Sequence, residues 1–396
     1  MEDRFDFYNP TRLLFGEGRE NEVGDIVKGY GFSSVFVLYG GGSAERSGLL
    51  NRIRESLKGL GISYREMGGI RPNPEIGFVR KALAEIKERP VDLLLAVGGG
   101  SVIDTAKSLG VAYYYEGDPF DFNLHLATPK KTLPVGVILT IASAGSESSN
   151  SCVIQDDERQ IKQGFNSDVV RPLFAIENPA LTLGVPALHV FAGVSDTMMH
   201  SLERYFCASD ENELADNLAL DVVKTTMEAG KALLKDPNDK KARASLMLCS
   251  SLSHDGFTSI GKKFSTVVHP LEHTLSAYCP SIIHGAGVAL IYPAWAKHVF
   301  KKDLKKFANL TRKLFSLEGA NEEETAIMGI RAMEAFFQSI GMPSSFGEVG
   351  LTSLDLAPLV DLATGNGTRL VGRYPQPLDR EDVEAIYSRL LAKEEL

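Results

Sequence analysis

Between residues 33 and 180 the apolar positions come in short bursts, separated by segments where they recur every three or four residues. That alternation predicts strands and helices taken in turn. The bursts are SSVFVLYG from Ser33, ISYREMGG from Ile62, VDLLLAV from Val91, LPVGVILT from Leu133 and PLFAIENPALTL from Pro172. Helical spacing fills GGSAERSGLLNRIRESLKGLG, EIGFVRKALAEIKERP and SVIDTAKSLGVAYYY. Pro10 opens an extended piece before the first burst, and Gly16 and Gly18 allow a turn after it. VDLLLAV is the kind of apolar run that is buried on both faces of a parallel sheet. Repeated strand and helix units predict a twisted, mostly parallel sheet. Such sheets bind ligands at the carboxyl ends of their strands. The loops at 40–43, 98–101 and 140–147 all follow strands, so together they are candidates to line one cleft.

From about residue 185 the period changes. FAGVSDTMMHSLERYF, ELADNLALDVVKTTMEAGKALL, KKARASLMLCSSLSHDGF, GVALIYPAWAKHVFK, LKKFANLTRKLFSL and EETAIMGIRAMEAFFQSIG all carry helical spacing, and β-branched bursts nearly vanish. After the Pro-bearing turn GRYPQP, LDREDVEAIYSRLLAKEEL reads as a closing helix. The fold class expected is an α/β N-terminal domain over residues 1–178, followed by an all-α C-terminal domain over 179–396. A chain of 396 residues suits two cores, because single cores stop growing near 250–300 residues. No internal repeat or low-complexity stretch interrupts the pattern.

Composition narrows the partners. With 51 acidic and 42 basic side chains the net charge is -9, which argues against nucleic acid or an anionic membrane surface and for a small substrate. Cys152, Cys207, Cys249 and Cys279 are far apart and show no CxxC spacing, so they read as reduced thiols. The N-terminal MEDRFDFYNPTRLLFG has no apolar signal core, and no run of eighteen apolar residues occurs. A cytoplasmic location is expected.

Two stretches carry chemistry. In the first, VDLLLAV runs directly into Gly98, Gly99, Gly100 and Ser101, followed by a helix with Asp104 in its first turn. Ser101 and Asp104 fit a capping box. Glycines let backbone approach a phosphate, and a helix N-terminus favours an anion, so a pyrophosphate is the natural guest. A tight strand-to-helix corner with no ligand is the alternative, since the pattern is not the strict GxGxxG fingerprint.

The second stretch runs from Asp196 to His284. Asp196 and His200 lie at i and i+4 on one helical face, His269 and His273 repeat that spacing, and His284 follows at a Gly-bounded corner. Four of the eight histidines fall in this set. A carboxylate with several imidazoles and no thiolate suits Zn or Fe(II). Neither pair matches the His-Glu-x-x-His helix of zinc proteases, so that activity gains no support.

In order along the chain, NPTRLLFGEG, YGGGS, RPNP, AVGGGSVIDTAK, ASAGSE, GVSDTMMHSLE, HPLEHTLSAY and HGAG resemble the iron-containing (group III) alcohol dehydrogenase family. Within it, the resemblance is to the butanol dehydrogenase and aldehyde reductase branch, and it covers essentially the whole chain. It implies a dehydroquinate synthase-like architecture, with a dinucleotide domain, a helical metal-binding domain and the active site between them. By position it implies Asp196, His200, His269 and His284 as metal ligands and His273 as a nearby His that does not bind the ion. Gly99, Gly100, Ser101 and Asp104 match pyrophosphate-side positions, with Gly98 beside them. Asn73, Thr140 and Lys162 match further cofactor contacts, and Ser143 lies in the same loop as Thr140. The chain departs from the family at Ala144, where Thr is usual. The interval from His273 to His284 is also about one residue longer. A homodimer is a family expectation.

The expected reaction is reversible hydride transfer between a nicotinamide and a primary alcohol or aldehyde, with the metal as Lewis acid and His273 as proton relay or polar positioning group. Sites reading the NAD ribose place a carboxylate just past a strand. Here VFVLY runs into Gly40, Gly41, Gly42 and Ser43 with no acid before Glu45, which points to NADP(H), with NAD(H) the alternative. Rival readings are a dehydroquinate synthase-like or glycerol dehydrogenase-like enzyme, and a non-catalytic metal- or nucleotide-binding protein. The apolar neighbours Pro270, Leu271, Leu275, Ala277 and Tyr278 suit a less charged substrate than a dehydroquinate synthase takes.

Overall fold

The computed structural model describes residues 4–207, 212–352 and 354–392. One compact unit is Tyr8–Val185, and the other is formed by the chain from Pro186 onward together with the residues before Tyr8. The first contains β1 (Arg12–Phe15), α1 (Val23–Gly29), β2 (Ser34–Tyr39), α2 (Ser43–Arg46), α3 (Leu49–Gly59), β3 (Ser63–Met67), α4 (Ile76–Glu88), β4 (Leu93–Gly98), α5 (Gly100–Ala112), β5 (Val135–Leu139), β6 (Ser151–Asp156), β7 (Ile161–Asn166) and β8 (Phe174–Glu177). Six strands form one parallel sheet in the order β1-β8-β5-β4-β2-β3. The central strands β4 and β5 are buried at every position, as their apolar runs require. Asp92, the one acid in VDLLLAV, ties the strand starts together: its carboxylate accepts from the amides of Ser33 at 2.8 Å and Ser34 at 2.9 Å.

Chain direction across this sheet changes once, between its neighbours β2 and β4. From β2 the crossover through α3 leads outward to β3, whereas from β4 the crossover through α5 leads the opposite way to β5. Ligands of doubly wound sheets bind at such a switch, outside the carboxyl ends of the strands. The register pairs Tyr39 with Val97, so Gly40 and Gly98 leave the sheet side by side.

Two details differ from the sequence reading. β6 and β7 form an antiparallel hairpin outside the main sheet, and alternation in SCVIQD and IKQGFN is too weak to have separated them. The capping box is also absent. α5 begins at Gly100 with Gly99 as N-cap and no side-chain cap, and the Asp104 carboxylate turns away to the amide of Val153 at 2.9 Å and the hydroxyl of Ser146 at 2.5 Å. Ser101 lies two residues past that N-cap, inside the first turn, where it cannot cap the helix.

The second unit is helical: α6 (Ala187–Tyr205), α7 (Glu213–Lys235), α8 (Lys240–His254), α9 (Val268–Tyr278), α10 (His284–Val299), α11 (Leu304–Phe315), α12 (Glu322–Ser339), α13 (Leu356–Thr364) and α14 (Arg380–Ala392). Residues 393–396 of the expected closing helix lie outside the described residues. Asn212, Asp239, Asp303, Asn321 and Asp355 cap α7, α8, α11, α12 and α13, each accepting from a first-turn amide. α6, α9 and α10, which carry the candidate ligands, begin at Pro186, Val267 and Ile283 without a side-chain cap of their own. α6 is buried all round from Ala192 to Tyr205, so polar groups on it must find partners inside the protein.

Candidate metal centre and nucleotide loops

Asp196 and His200 lie one turn apart on α6, His269 in the first turn of α9, and His284 opens α10. The Nε2 atoms of His200, His269 and His284 lie 3.3, 3.4 and 3.5 Å from one oxygen, Asp196 Oδ1. Around a tetrahedral ion with bonds of about 2.0–2.1 Å, ligand atoms stand roughly 3.4 Å apart. Asp196, His200 and His269 form one buried group with donor atoms within 4.8 Å of one another, suited to a divalent ion, while His284 reaches Asp196 Oδ1 from the edge and also groups with Glu272 and His273. Between His273 and His284 the chain turns at Cys279–Ile283, where the amide of Ile282 donates to Cys279 O at 3.1 Å.

Two glutamates that sequence reasoning passed over orient these rings. Glu203 Oε2 accepts from His269 Nδ1 at 2.5 Å, while Oε1 accepts from the amides of Val267 at 2.7 Å, Val268 at 2.6 Å and His269 at 3.2 Å. One carboxylate thus caps α9 from another helix and turns Nε2 of His269 inward. Glu272 does the same for His284, taking Nδ1 on Oε2 and the Ser276 hydroxyl on Oε1. Carboxylate–imidazole–metal relays of this kind fix tautomer and ring direction. A partial signal was present: Glu203 sits three residues after His200 and Glu272 three after His269 on the same helix, although the ring each one orients lies on the next ligand-bearing helix.

The His200 ring is stacked between those of His254 (centroids 4.0 Å apart) and His269 (4.2 Å). Burial, then the neighbouring rings of His254 and His269, push its pKa well below the usual imidazole value, leaving it neutral and ready to ligate. Burial also acts to lower that of His269, but Glu203 and Asp196 outweigh it and hold the value up at about 10. His273 is half-buried, its ring centroid 5.5 Å from that of His284. The side chain of His284 is 25% exposed, against 8% or less for the other three candidate ligands, so the cluster is open on the His284 side.

HGAG is a packing motif as much as a hinge. A Cβ on Gly285 would stand 1.9 Å from the carbonyl oxygen of Ala192 on α6, and one on Gly287 would stand 2.7 Å from Glu272 Cγ on α9. Glycine at both positions lets α10 press against the two helices that carry the other candidate ligands.

In the sheet unit, the loops after β2 and β4 meet at the switch point. Gly99 and Gly100 open α5, a 13-residue helix whose first amides point out of its end. A Cβ on Gly41 would meet nothing within 4 Å, and one on Gly100 only Ala144 Cβ at 3.6 Å. Open glycines beside a helix N-terminus suit the approach of a pyrophosphate. Lys162 Nζ donates to Asn73 Oδ1 at 3.1 Å, so two of the expected cofactor contacts lie together, and Thr140 N donates to Gly98 O at 3.1 Å. Ser143 is half-buried in the same loop. Lys107, fully buried, anchors the loop from beneath: Nζ donates to Ser146 Oγ (3.0 Å), Ser149 O (3.0 Å) and Ser151 O (2.8 Å).

Comparison with known proteins agrees with both halves. The profile of iron-containing alcohol dehydrogenases matches residues 10–179, and that of the C-terminal region of the same family matches 190–391. The chain is 35% identical to NADH-dependent butanol dehydrogenase A of Clostridium acetobutylicum, over 97% of this chain and 99% of that one. It is 30% identical to the NADPH-dependent aldehyde reductase YqhD of Escherichia coli, over 93% and 95%. The crystal structure of NADH-dependent butanol dehydrogenase A from Thermotoga maritima superposes with a TM-score of 0.94 at 33% identity, covering 98% of this chain and 99% of that one. The chain is a member of the iron-containing alcohol dehydrogenase family.

Proposed function

We propose that the protein interconverts primary alcohols and aldehydes, using NADP(H) or NAD(H) and one divalent metal ion, Fe(II) or Zn. The observation that carries this reading is the convergence of three imidazole nitrogens on Asp196 Oδ1 at tetrahedral-edge distances. An ion held there supplies Lewis-acid polarisation of an alcohol or aldehyde oxygen, and a nicotinamide supplies the hydride acceptor or donor. The chain's own groups do the rest. Glu203 and Glu272 keep the Nε2 lone pairs aimed inward, and Asp196 offsets part of the ion's charge. The buried walls around His200 and His269 exclude water, while the more open His284 side admits substrate. His273, its ring centroid 5.5 Å from that of His284, is assigned the proton relay to solvent. In the sheet unit, Gly99, Gly100 and Ser101 offer amides to the pyrophosphate, and Lys107 holds the 140–151 loop in shape without touching the cofactor.

The relatives named for butanol and aldehydes support a short, weakly charged substrate. A homodimer is supported by β1, an edge strand paired only with β8 in the sheet, which exposes Leu13 and Phe15. No helix among the described residues is long and apolar enough to cross a membrane, and the four cysteines are free thiols, as in a reducing cytoplasm. The test is nicotinamide oxidation by metal-loaded protein with butanal and with glyceraldehyde. Turnover that is lost in His269→Ala together with the bound metal is expected. An active metal-free variant, or no oxidation with any aldehyde, defeats the reading.

A further inference from the structure

The loop after β2 carries more than an absence of acid. Two carboxylates stand near the ends of β2 and β3, Glu45 on α2 and Glu66 on β3, and either would serve a ribose diol and repel a phosphate. Both are held by one guanidinium. Arg54 on α3 donates from Nη1 and Nη2 to the two oxygens of Glu45, each at 2.9 Å, and from Nε and Nη2 to those of Glu66 at 2.8 and 2.7 Å. The hydrogen bond from Arg54 lowers the pKa of Glu45, keeping it ionised and committed to that partner.

Over the loop's own backbone stands a second guanidinium, that of Arg46, the residue after Glu45. Arg46 Nη1 lies 3.3 Å from the place a Cβ on Gly42 would occupy, and no carboxylate among the described residues pairs with Arg46. Gly42 has φ +93°, a conformation that glycine adopts without strain, so the loop exposes bare backbone beneath the guanidinium. Ser43 adds a hydroxyl at the same corner. The carboxylates are thus drawn off toward α3 while a planar fork of donors stays at the strand end, the arrangement suited to a phosphate monoester.

We propose that Arg46 is the receptor for the 2′-phosphate of NADP(H), and that Arg54 sets the preference for it by sequestering Glu45 and Glu66. This rests on the reading that the β2 loop takes the adenosine ribose. The names of the relatives pull both ways, NADH for the butanol dehydrogenases and NADPH for the aldehyde reductase, so the assignment lies in this chain's own side chains. Arg46 and Ser43 bind; Arg54 acts only through the two glutamates and is a positioning residue.

The experiment is calorimetric titration of the metal-loaded full chain with 2′,5′-ADP, 5′-AMP and inorganic phosphate, which needs no turnover. The expected result is tighter binding of 2′,5′-ADP than 5′-AMP in the unmodified protein. Arg46→Ala should weaken 2′,5′-ADP by about 10- to 100-fold, as loss of a charge-assisted contact does, and leave 5′-AMP unchanged. Arg46→Gln, which keeps most of the stem, should do the same. Arg54→Ala should narrow the ratio from both sides, weakening 2′,5′-ADP and strengthening 5′-AMP as the glutamates are released. Lys58→Ala, an exposed cation elsewhere on α3, should leave the ratio alone. An unchanged ratio in both Arg46 variants overturns the proposal. So does an unmodified protein that binds 5′-AMP as tightly as 2′,5′-ADP, although the dinucleotide reading then stands. Displacement of 2′,5′-ADP by equimolar phosphate would reduce the site to a general anion contact and overturn it too. If neither nucleotide binds, the dinucleotide reading falls and takes this inference with it.

Discussion

Glu203 gives one carboxylate two duties, capping α9 and orienting His269, and these separate on substitution. Glu203→Gln keeps the volume, removes the charge that favours the imidazole tautomer, and brings an amide NH2 against the α9 amides. Metal affinity should fall about 10- to 100-fold, the usual cost of losing such a partner, and competition with a graded chelator would read it. Unaltered affinity would show that the helix ends alone hold His269 in place. The same carboxylate governs pH behaviour. With His269 held at about 10 in the folded, metal-free chain against about 6.5 when unfolded, the folded state binds the extra proton between those values. Its contribution to metal-free stability is full below about 6.5 and is lost as pH rises toward 10. The proton must leave when the ion arrives, so metal affinity should rise across that window. Near neutrality, uptake should release about one proton, visible as buffer-dependent heat in calorimetry; uptake with no proton release would contradict the assignment.

At the level of elements, the site depends on α10 lying hard against α6. Gly285→Ala places a methyl 1.9 Å from Ala192 O, so the helices must part and His284 moves away from Asp196. Overpacking costs about 1–3 kcal/mol on its own, and the variant should also lose bound metal, as elemental analysis would show. Gly287→Ala meets only the Glu272 side chain and should be milder; equal damage from both would argue against helix separation as the cause. In the sheet unit, Lys107→Met should remove the anchor of the 140–151 loop and leave buried carbonyls without a donor, lowering stability by roughly 2–4 kcal/mol. A urea titration checks this. These contacts explain what the sequence did and did not disclose. Gly285, Gly287 and the i,i+4 pairs are legible because spacing alone fixes a helix face. Lys107 reads as one more helical lysine, because only the fold shows that its ammonium is surrounded by the serine loop. The Ser101–Asp104 capping box failed for a related reason: Asp104 gains more from Val153 and Ser146, 42 or more residues away, than from the helix end, and no local pattern reports that.

At the level of the whole molecule, both units were legible because their periods differ. The strand bursts stop before Pro186, where the second unit takes over the chain, and helical spacing governs nearly everything beyond it. What spacing could not supply was the switch in chain direction between β2 and β4, which depends on pairing order, and the guanidinium bridge from Arg54 to Glu45 and Glu66. All four expected metal ligands, and the glutamates behind two of them, belong to the helical unit, so the ion should stabilise that unit directly. Free metal at a hundred times its dissociation constant adds about 2.7 kcal/mol to whatever state binds it. For a unit of roughly 200 residues, each kcal/mol moves the midpoint about 2–4 °C, so stripping the ion should lower the helical unit's transition by about 5–10 °C. Calorimetric scans of chelated, dialysed and reloaded protein measure this, with reloading expected to restore the lost degrees. A midpoint indifferent to a removal verified by elemental analysis would mean that the Asp196 cluster is held together by its own hydrogen bonds and takes no structural support from an ion.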